Sequence, residues 1–307
     1  MNYVGSKHRM KKDLIPIITK HLTSSKTYIE PFCGGASVIR SITQTKKKIA
    51  NDNNPYLISM FRELQNGWLP KPFYSRLQYL DIKRDYKRNG NKYTDYEKGY
   101  AGYVCSFSSF FFLEYSAYNN DKQDYQKLAR HRCLYNESYS NKIKRKGKAT
   151  NLENIRFLNL DYTKLRIPEN SIIYADSPYK GCTRDGYFSK TFDHNKYYNW
   201  LLQVSAIQGV EIYISELYMP SEDFEIVWKK EIIYSLRKNC ASEKLYKIKR
   251  SSINRVKKLN AFLISFLKTV FSRIKKKIDF ILDKVKEITS YIVFLFFPHM
   301  EYHSHSP

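Results

Sequence analysis

Residues 27 to 66 alternate short apolar runs with segments of helical character, and this alternation narrows the possible folds more than any other feature. "TYIEPF" (27 to 32) reads as a strand and "GASVIRSI" (35 to 42) as the helix that follows it. "KKKIAND" (46 to 52) reads as a second strand, ending in Asp52. "NPYLISMFREL" reads as a second helix, with Asn54 at its N-cap and Pro55 at its first position. Strands joined through helices in this order run parallel, so the expected class is α/β with a parallel sheet. The strand pattern resumes in "IRFLNLD" (155 to 161), "SIIYAD" (171 to 176), "VEIYIS" (210 to 215) and "KLYKIK" (244 to 249). Upstream, residues 9 to 22 have helical apolar spacing, weakened by Pro16.

Two stretches depart from this rhythm. From 67 to 150 the chain is rich in aromatics, Lys, Asn and Ser without a clean period, and reads as an irregular basic insertion. Within it "KIKRKGK" concentrates positive charge, and Lys144, Arg145 and Lys146 are the candidate phosphate contacts. From 251 to 307 the apolar residues Leu263, Leu267, Val270, Ile274, Ile278, Ile281, Val285, Ile288, Ile292 and Leu295 recur at three- and four-residue steps, a helical stripe among many Lys. The stripe is a candidate for self-association, for folding back on the domain, or for contact with a membrane surface over 263–295.

Charge says what such a chain meets. Lys and Arg number 53 against 29 acids, a formal net charge of +24, and there are 27 Tyr. Positive charge with many flat rings suits nucleic acid. The five Cys are scattered with no Cys-x-x-Cys pair, and the seven His show no ligand spacing, so no metal site is expected. Reduced cytoplasm fits this cysteine usage, and no apolar signal segment opens the sequence. No apolar run approaches the roughly 20 residues of a membrane span.

Chemistry concentrates at two strand ends. After the first strand, Gly34 and Gly35 permit a tight turn and close approach to a ligand, and the following helix would offer free N–H groups. Asp52, at the next strand's end, stands where a carboxylate can bind ribose hydroxyls. After the strand at 171 to 175 come Asp176, Ser177, Pro178 and Tyr179. A carboxylate and the carbonyl one residue on can accept two hydrogen bonds from one exocyclic amine. Its lone pair is then freed for attack, while Tyr179 offers a face for an extruded base. Acid, rigid turn and ring together form a device for methylating a base's amino nitrogen.

These segments resemble the Dam-like family of DNA adenine-N6 methyltransferases, whose catalytic motif is Asp-Pro-Pro-Tyr. "DSPY" stands in that place, "YIEPFCGG" resembles the cofactor motif and "ANDNNPYLI" the ribose-binding segment. "NYVGSKHRM" resembles the opening motif, and "LDYTKL" the segment that holds the cofactor's adenine. "FDHNKYYNWL", "YISELYMPSEDFEIVW" and "SEKLYKI" resemble later blocks, so the resemblance covers residues 1 to about 249. It implies a Rossmann-like S-adenosylmethionine-dependent methyltransferase sheet with an inserted target-recognition module and a helical C-terminal tail. It implies cofactor contacts from Tyr3, Lys7, Phe32, Gly34, Gly35, Asp52, Asp161, Tyr162 and Asp176, and catalysis by Asp176, Ser177, Pro178 and Tyr179. The expected division is a cofactor-binding segment at 1–66, a recognition module at 67–150, a catalytic segment at 151–250 and a basic amphipathic tail at 251–307.

The expected reaction is methyl transfer from S-adenosylmethionine to adenine N6 of double-stranded DNA, without metal, in a bacterial cell or phage-infected host. The departure from the motif is Ser177, which keeps the carbonyl and loses proline's fixed φ. A nucleic-acid-binding protein with impaired catalysis and an RNA adenine methyltransferase are the alternatives. Cytosine-C5 chemistry is disfavoured, because no Cys follows a Pro.

Overall fold

The structure is a computed structural model, and it describes residues 5–68, 70, 74–116, 152–180, 192–233 and 240–296. Seven strands form one sheet: β1 (Thr27–Glu30), β2 (Lys48–Asn51), β3 (Ile155–Leu158), β4 (Ser171–Ala175), β5 (Glu211–Glu216), β6 (Phe224–Ile233) and β7 (Cys240–Ile248). Their order is β3-β2-β1-β4-β5-β7-β6. β3 through β5 run parallel, while β7 pairs antiparallel with both β5 and β6. The α/β expectation holds. The direction of strand order reverses between β1 and β4, which opens a crevice at their carboxyl ends.

The alternation of side chains along the strands explains why both faces are covered. Tyr28, Ile172 and Tyr174 enter one core, whereas Ile29, Ile173 and Ala175 enter the other. The first core is covered by α1 (Lys11–Ile18), α2 (Pro55–Gln65), α3 (Arg76–Lys87) and α4 (Asp95–Val104). The second is covered by α5 (His194–Ser205), through Tyr197, Trp200 and Leu201. Each such side chain stabilises the fold by about 1.5–3 kcal/mol on burial.

Helix starts follow local chemistry. Asn54 Oδ1 accepts from the Tyr56 and Leu57 amides, with Pro55 at the first position. Ser75 with Gln78 and Thr94 with Glu97 form capping boxes for α3 and α4. These two helices correct the reading of 67–150 as wholly irregular. Their apolar residues, Tyr79, Ile82, Ala101 and Tyr103, are buried in the first core. The pattern was obscured because many of its core residues are Tyr, whose polar end hides the period.

The helix expected at 35 to 42 does not form. Gly34 and Ala36 have left-handed φ of 45° and 53°, and only a 3-10 turn follows, at Ile39–Ser41. Val38, Ile39 and Ile42 are all buried, a spacing that one helix face would also satisfy, so the departure from a helix lies in the left-handed backbone at Gly34 and Ala36 and not in the apolar pattern. Consequently no long helix presents its N-terminus to the β1 loop.

The chain divides into two compact units, Met1–Ile253 and Asn254–Pro307. The expected tail helix is present as α6 (Arg250–Phe296). No helix among the described residues is long and apolar enough to cross a membrane.

Candidate active site

The loops that follow β1, β2 and β3 are tied together from below. Asn51, fully buried at the end of β2, donates to the Pro31 and Leu160 carbonyls at 2.9 Å each and accepts from the Leu160 amide at 3.0 Å. Asn159 donates to the Asp52 carbonyl at 2.8 Å. Asp52 itself accepts from the Gly34 amide at 3.1 Å and the Asn54 amide at 3.0 Å, one on each oxygen. Burial pushes its carboxyl up to about 6, against the pull of those two amides. Asp52 therefore holds the glycine turn against the start of α2, and each oxygen retains a lone pair.

Around that turn lie aromatic rings. Phe32 packs against Tyr162 at 5.2 Å, Tyr197 at 5.6 Å and Phe192 at 5.7 Å between ring centres. Asp161 caps the short turn at Tyr162–Lys164 by accepting from the Thr163 amide, and that side-chain partnership with Thr163 holds its carboxyl below the usual range. Burial raises the Tyr162 phenol to about 12.

The motif after β4 sits beside this loop because β1 and β4 are neighbours, paired Ile29 to Ile173. Lys7, only 3% exposed, donates to Asp176 Oδ1 at 2.7 Å and to the Gly5 carbonyl at 3.1 Å. The same ammonium lies 4.8 Å from the centre of the Tyr179 ring. The Tyr179 hydroxyl donates to Glu243 Oε2, on β7, at 2.7 Å. Burial raises the Asp176 carboxyl, and the charge of Lys7 opposes that rise. Ser177 is buried; its hydroxyl interacts with Tyr197 without reaching good hydrogen-bond geometry.

Two further carboxylates complete the surroundings. Glu30, at the end of β1, accepts from the Tyr28 hydroxyl at 3.1 Å and is raised by burial. Glu216, at the end of β5, accepts from the Leu217 amide at 2.8 Å and is pushed by burial to about 7. Asp176 interacts electrostatically with Glu30, Glu216 and Glu243. One buried ammonium, Lys7, faces this carboxylate-rich set. Among the described residues no His, Cys, Asp or Glu group is arranged to hold a metal ion.

Lys7, Asp176, Ser177 and Tyr179 are thus brought together, with Phe32, Gly34, Asp52, Asp161 and Tyr162 around the neighbouring loops. Lys7, expected among the cofactor contacts, touches the motif after β4. Gly35 and Pro178 lie in their expected loops. Tyr3, Lys144, Arg145 and Lys146 lie outside the described residues. Sequence reasoning missed Asn51, Glu216 and Glu243 as site residues. "SEKLYKI" carried the signal for Glu243, a lone acid in an otherwise basic and apolar strand.

A sheet of this order, with a glycine turn after β1 and Asp-Ser-Pro-Tyr after β4, defines a Rossmann-like methyltransferase. Residues 3–200 match the model of the D12 class N6 adenine-specific DNA methyltransferase family, and the chain belongs to that family. It is 26% identical over 197 residues to the modification methylase StsI of Streptococcus sanguinis, an overlap covering 58% of this chain and 28% of that protein. The chain therefore spans well under half the length of this relative. Methyltransferase families in general use S-adenosylmethionine.

Proposed function

We propose that this chain transfers a methyl group from S-adenosylmethionine to N6 of an adenine extruded from double-stranded DNA. The observation that carries the reading is Asp176 at the carboxyl end of β4, at the crevice, with one oxygen held by Lys7 and Tyr179 beside it. The site suits the cofactor's charge: the carboxyls of Asp176, Glu30, Glu216 and Glu243 gather here, and a sulfonium, a permanent cation, would draw those that burial raises towards their ionised form. When bound, S-adenosylmethionine supplies an electrophilic methyl group whose bonding electrons leave on neutral sulfur.

Lys7 and Asp176 act as a unit. Lys7 engages Oδ1 and favours the ionised carboxylate despite burial. Oδ2 is then available to accept from the adenine amine, and the Ser177 carbonyl supplies the second acceptor. Those two acceptors aim the nitrogen lone pair at the methyl carbon. As the N–C bond forms, the nitrogen gains positive charge, and Asp176 stabilises it and takes or relays the released proton. Tyr179 stacks on the base, and Glu243 fixes the ring's tilt through the phenol. Phe32, Gly34 and Asp52 hold the cofactor's amino-acid and ribose groups, and Asp161 with the Tyr162 backbone its adenine. Lys144, Arg145 and Lys146 make DNA phosphate contacts in this reading.

The experiment incubates the protein with methyl-labelled cofactor and, separately, duplex DNA and RNA. Label should appear in DNA as N6-methyladenine, and Asp176→Ala should lower turnover at least about a hundredfold while DNA binding stays measurable. Label in RNA alone, or full turnover in the variant, overturns the assignment.

A further inference from the structure

The apolar stripe of α6 is exposed, with Leu263, Leu267, Ile274, Ile278, Ile281 and Val285 each about half accessible. Along a helix of 47 residues, with about 3.6 residues per turn, these positions share one face. Leu259 and Phe266 lie towards one side of it, Phe271 and Leu282 towards the other, which makes the face wider than a coiled-coil seam. A face this wide needs a cover in water.

Charge identifies the cover. Arg255, Arg273, Lys277 and Lys284 follow one border of the apolar face. Lys257, Lys268, Lys275 and Lys286 follow the other. The acids Asp279, Asp283 and Glu287 turn to the opposite side. Acids on that side pair with two of the border lysines, Lys284 with Glu287 at 2.6 Å and Lys286 with Asp283 at 3.6 Å. In a coiled coil of two copies, parallel or antiparallel, borders meet borders, and here Lys or Arg would meet Lys or Arg along the length. A DNA duplex would satisfy the bases and leave the apolar face wet. A bilayer surface with anionic headgroups satisfies both at once: the apolar face enters the acyl boundary, while the border bases reach outward along their stems to phosphates.

We infer that α6 is an interfacial helix that lies on anionic lipid. It does not span the bilayer, since no described helix is apolar enough to do so. This inference is independent of the methyl-transfer reading, because it uses no residue of that site.

The test is sedimentation of the full chain with vesicles of pure phosphatidylcholine or of phosphatidylcholine with phosphatidylglycerol. Adsorption to the anionic vesicles should exceed adsorption to the neutral ones at least about tenfold and weaken with salt. A variant with Leu267→Ser, Ile274→Ser and Ile281→Ser keeps every charge, and should lose most of that adsorption. A second variant, Lys268→Gln, Lys275→Gln and Lys277→Gln, keeps the apolar face and should lose the preference for anionic vesicles. Circular dichroism and DNA methylation by each variant establish that the first unit is folded. Undiminished adsorption by the serine variant would assign binding to general positive charge and overturn the inference. So would a stable dimer in sedimentation equilibrium that the serine variant dissociates while vesicles capture nothing, or capture by duplex DNA alone.

Discussion

Lys7 and Asp176 are 169 positions apart in the chain, yet they share a 2.7 Å contact in a site where Lys7 is almost wholly buried. The ammonium lowers a carboxyl that burial raises. Lys7→Gln should therefore raise the Asp176 pKa. The acidic limb of the pH–rate profile should move to higher pH, with a smaller loss of turnover well above the limb. A profile scaled down without displacement would show that Lys7 serves only the fold. Glu243 offers a second measurement at this scale. Glu243→Gln keeps an acceptor for the Tyr179 phenol, whereas Glu243→Ala removes it. The alanine variant should bind duplex DNA normally but give a weaker fluorescence rise with 2-aminopurine at the target position, and the glutamine variant should recover most of it. Equal signals in all three proteins would remove Glu243 from base positioning.

At the scale of elements, the approach of α4 to α2 decides how the first core closes. A Cβ on Gly99 would lie 2.2 Å from the Tyr56 carbonyl oxygen and 3.1 Å from Met60 Cβ. In an exposed helix, Gly→Ala stabilises by up to about 1 kcal/mol. Here the backbone of α2 must shift, so Gly99→Ala should instead destabilise, by about 1–3 kcal/mol. Urea denaturation reads the sign directly, and a raised midpoint would mean that the helices separate without penalty. The same packing shows why the segment after residue 66 was hard to read. Its helices carry turn-forming caps at Ser75 and Thr94 that are plain in the sequence. Its buried face, however, is built largely from Tyr, which periodicity treats as indifferent.

For the whole molecule, buried carboxylates link stability to pH. Asp52 titrates near 6 and Glu216 near 7 in the folded chain, above their unfolded values. Between those values the folded state binds more protons than the unfolded one, so their contribution to stability is fullest at low pH and is lost as pH rises through the folded pKa. Asp52→Asn removes the titration, at the fixed cost of one of the two acceptors for the Gly34 and Asn54 amides. The variant should gain on the wild type by an amount on the order of 2–3 kcal/mol between about pH 4 and pH 7. Parallel stability curves across that range would contradict the raised carboxyl of Asp52. A bound sulfonium should favour the ionised carboxylates, so cofactor affinity should rise with pH over the same window.

The sequence by itself determined the strands β1 to β5 and most of β7, the cap at Asn54 and the placing of Asp176 to Tyr179 at a strand's end. Each of these is written locally, in short apolar runs or turn chemistry over a few residues. It also determined a helical tail, from repeats of three and four. Tertiary structure alone decided that 35 to 42 would not be a helix, because the Gly34 amide is held to Asp52 and the backbone turns left-handed at Gly34 and Ala36. It alone added β6 as the sheet's antiparallel edge. It alone brought Lys7 and Glu243 to the motif after β4, from opposite ends of the first unit. Contacts between residues far apart in the chain leave no periodic trace, since what selects them is the order of strands in the sheet and the crevice that this order opens.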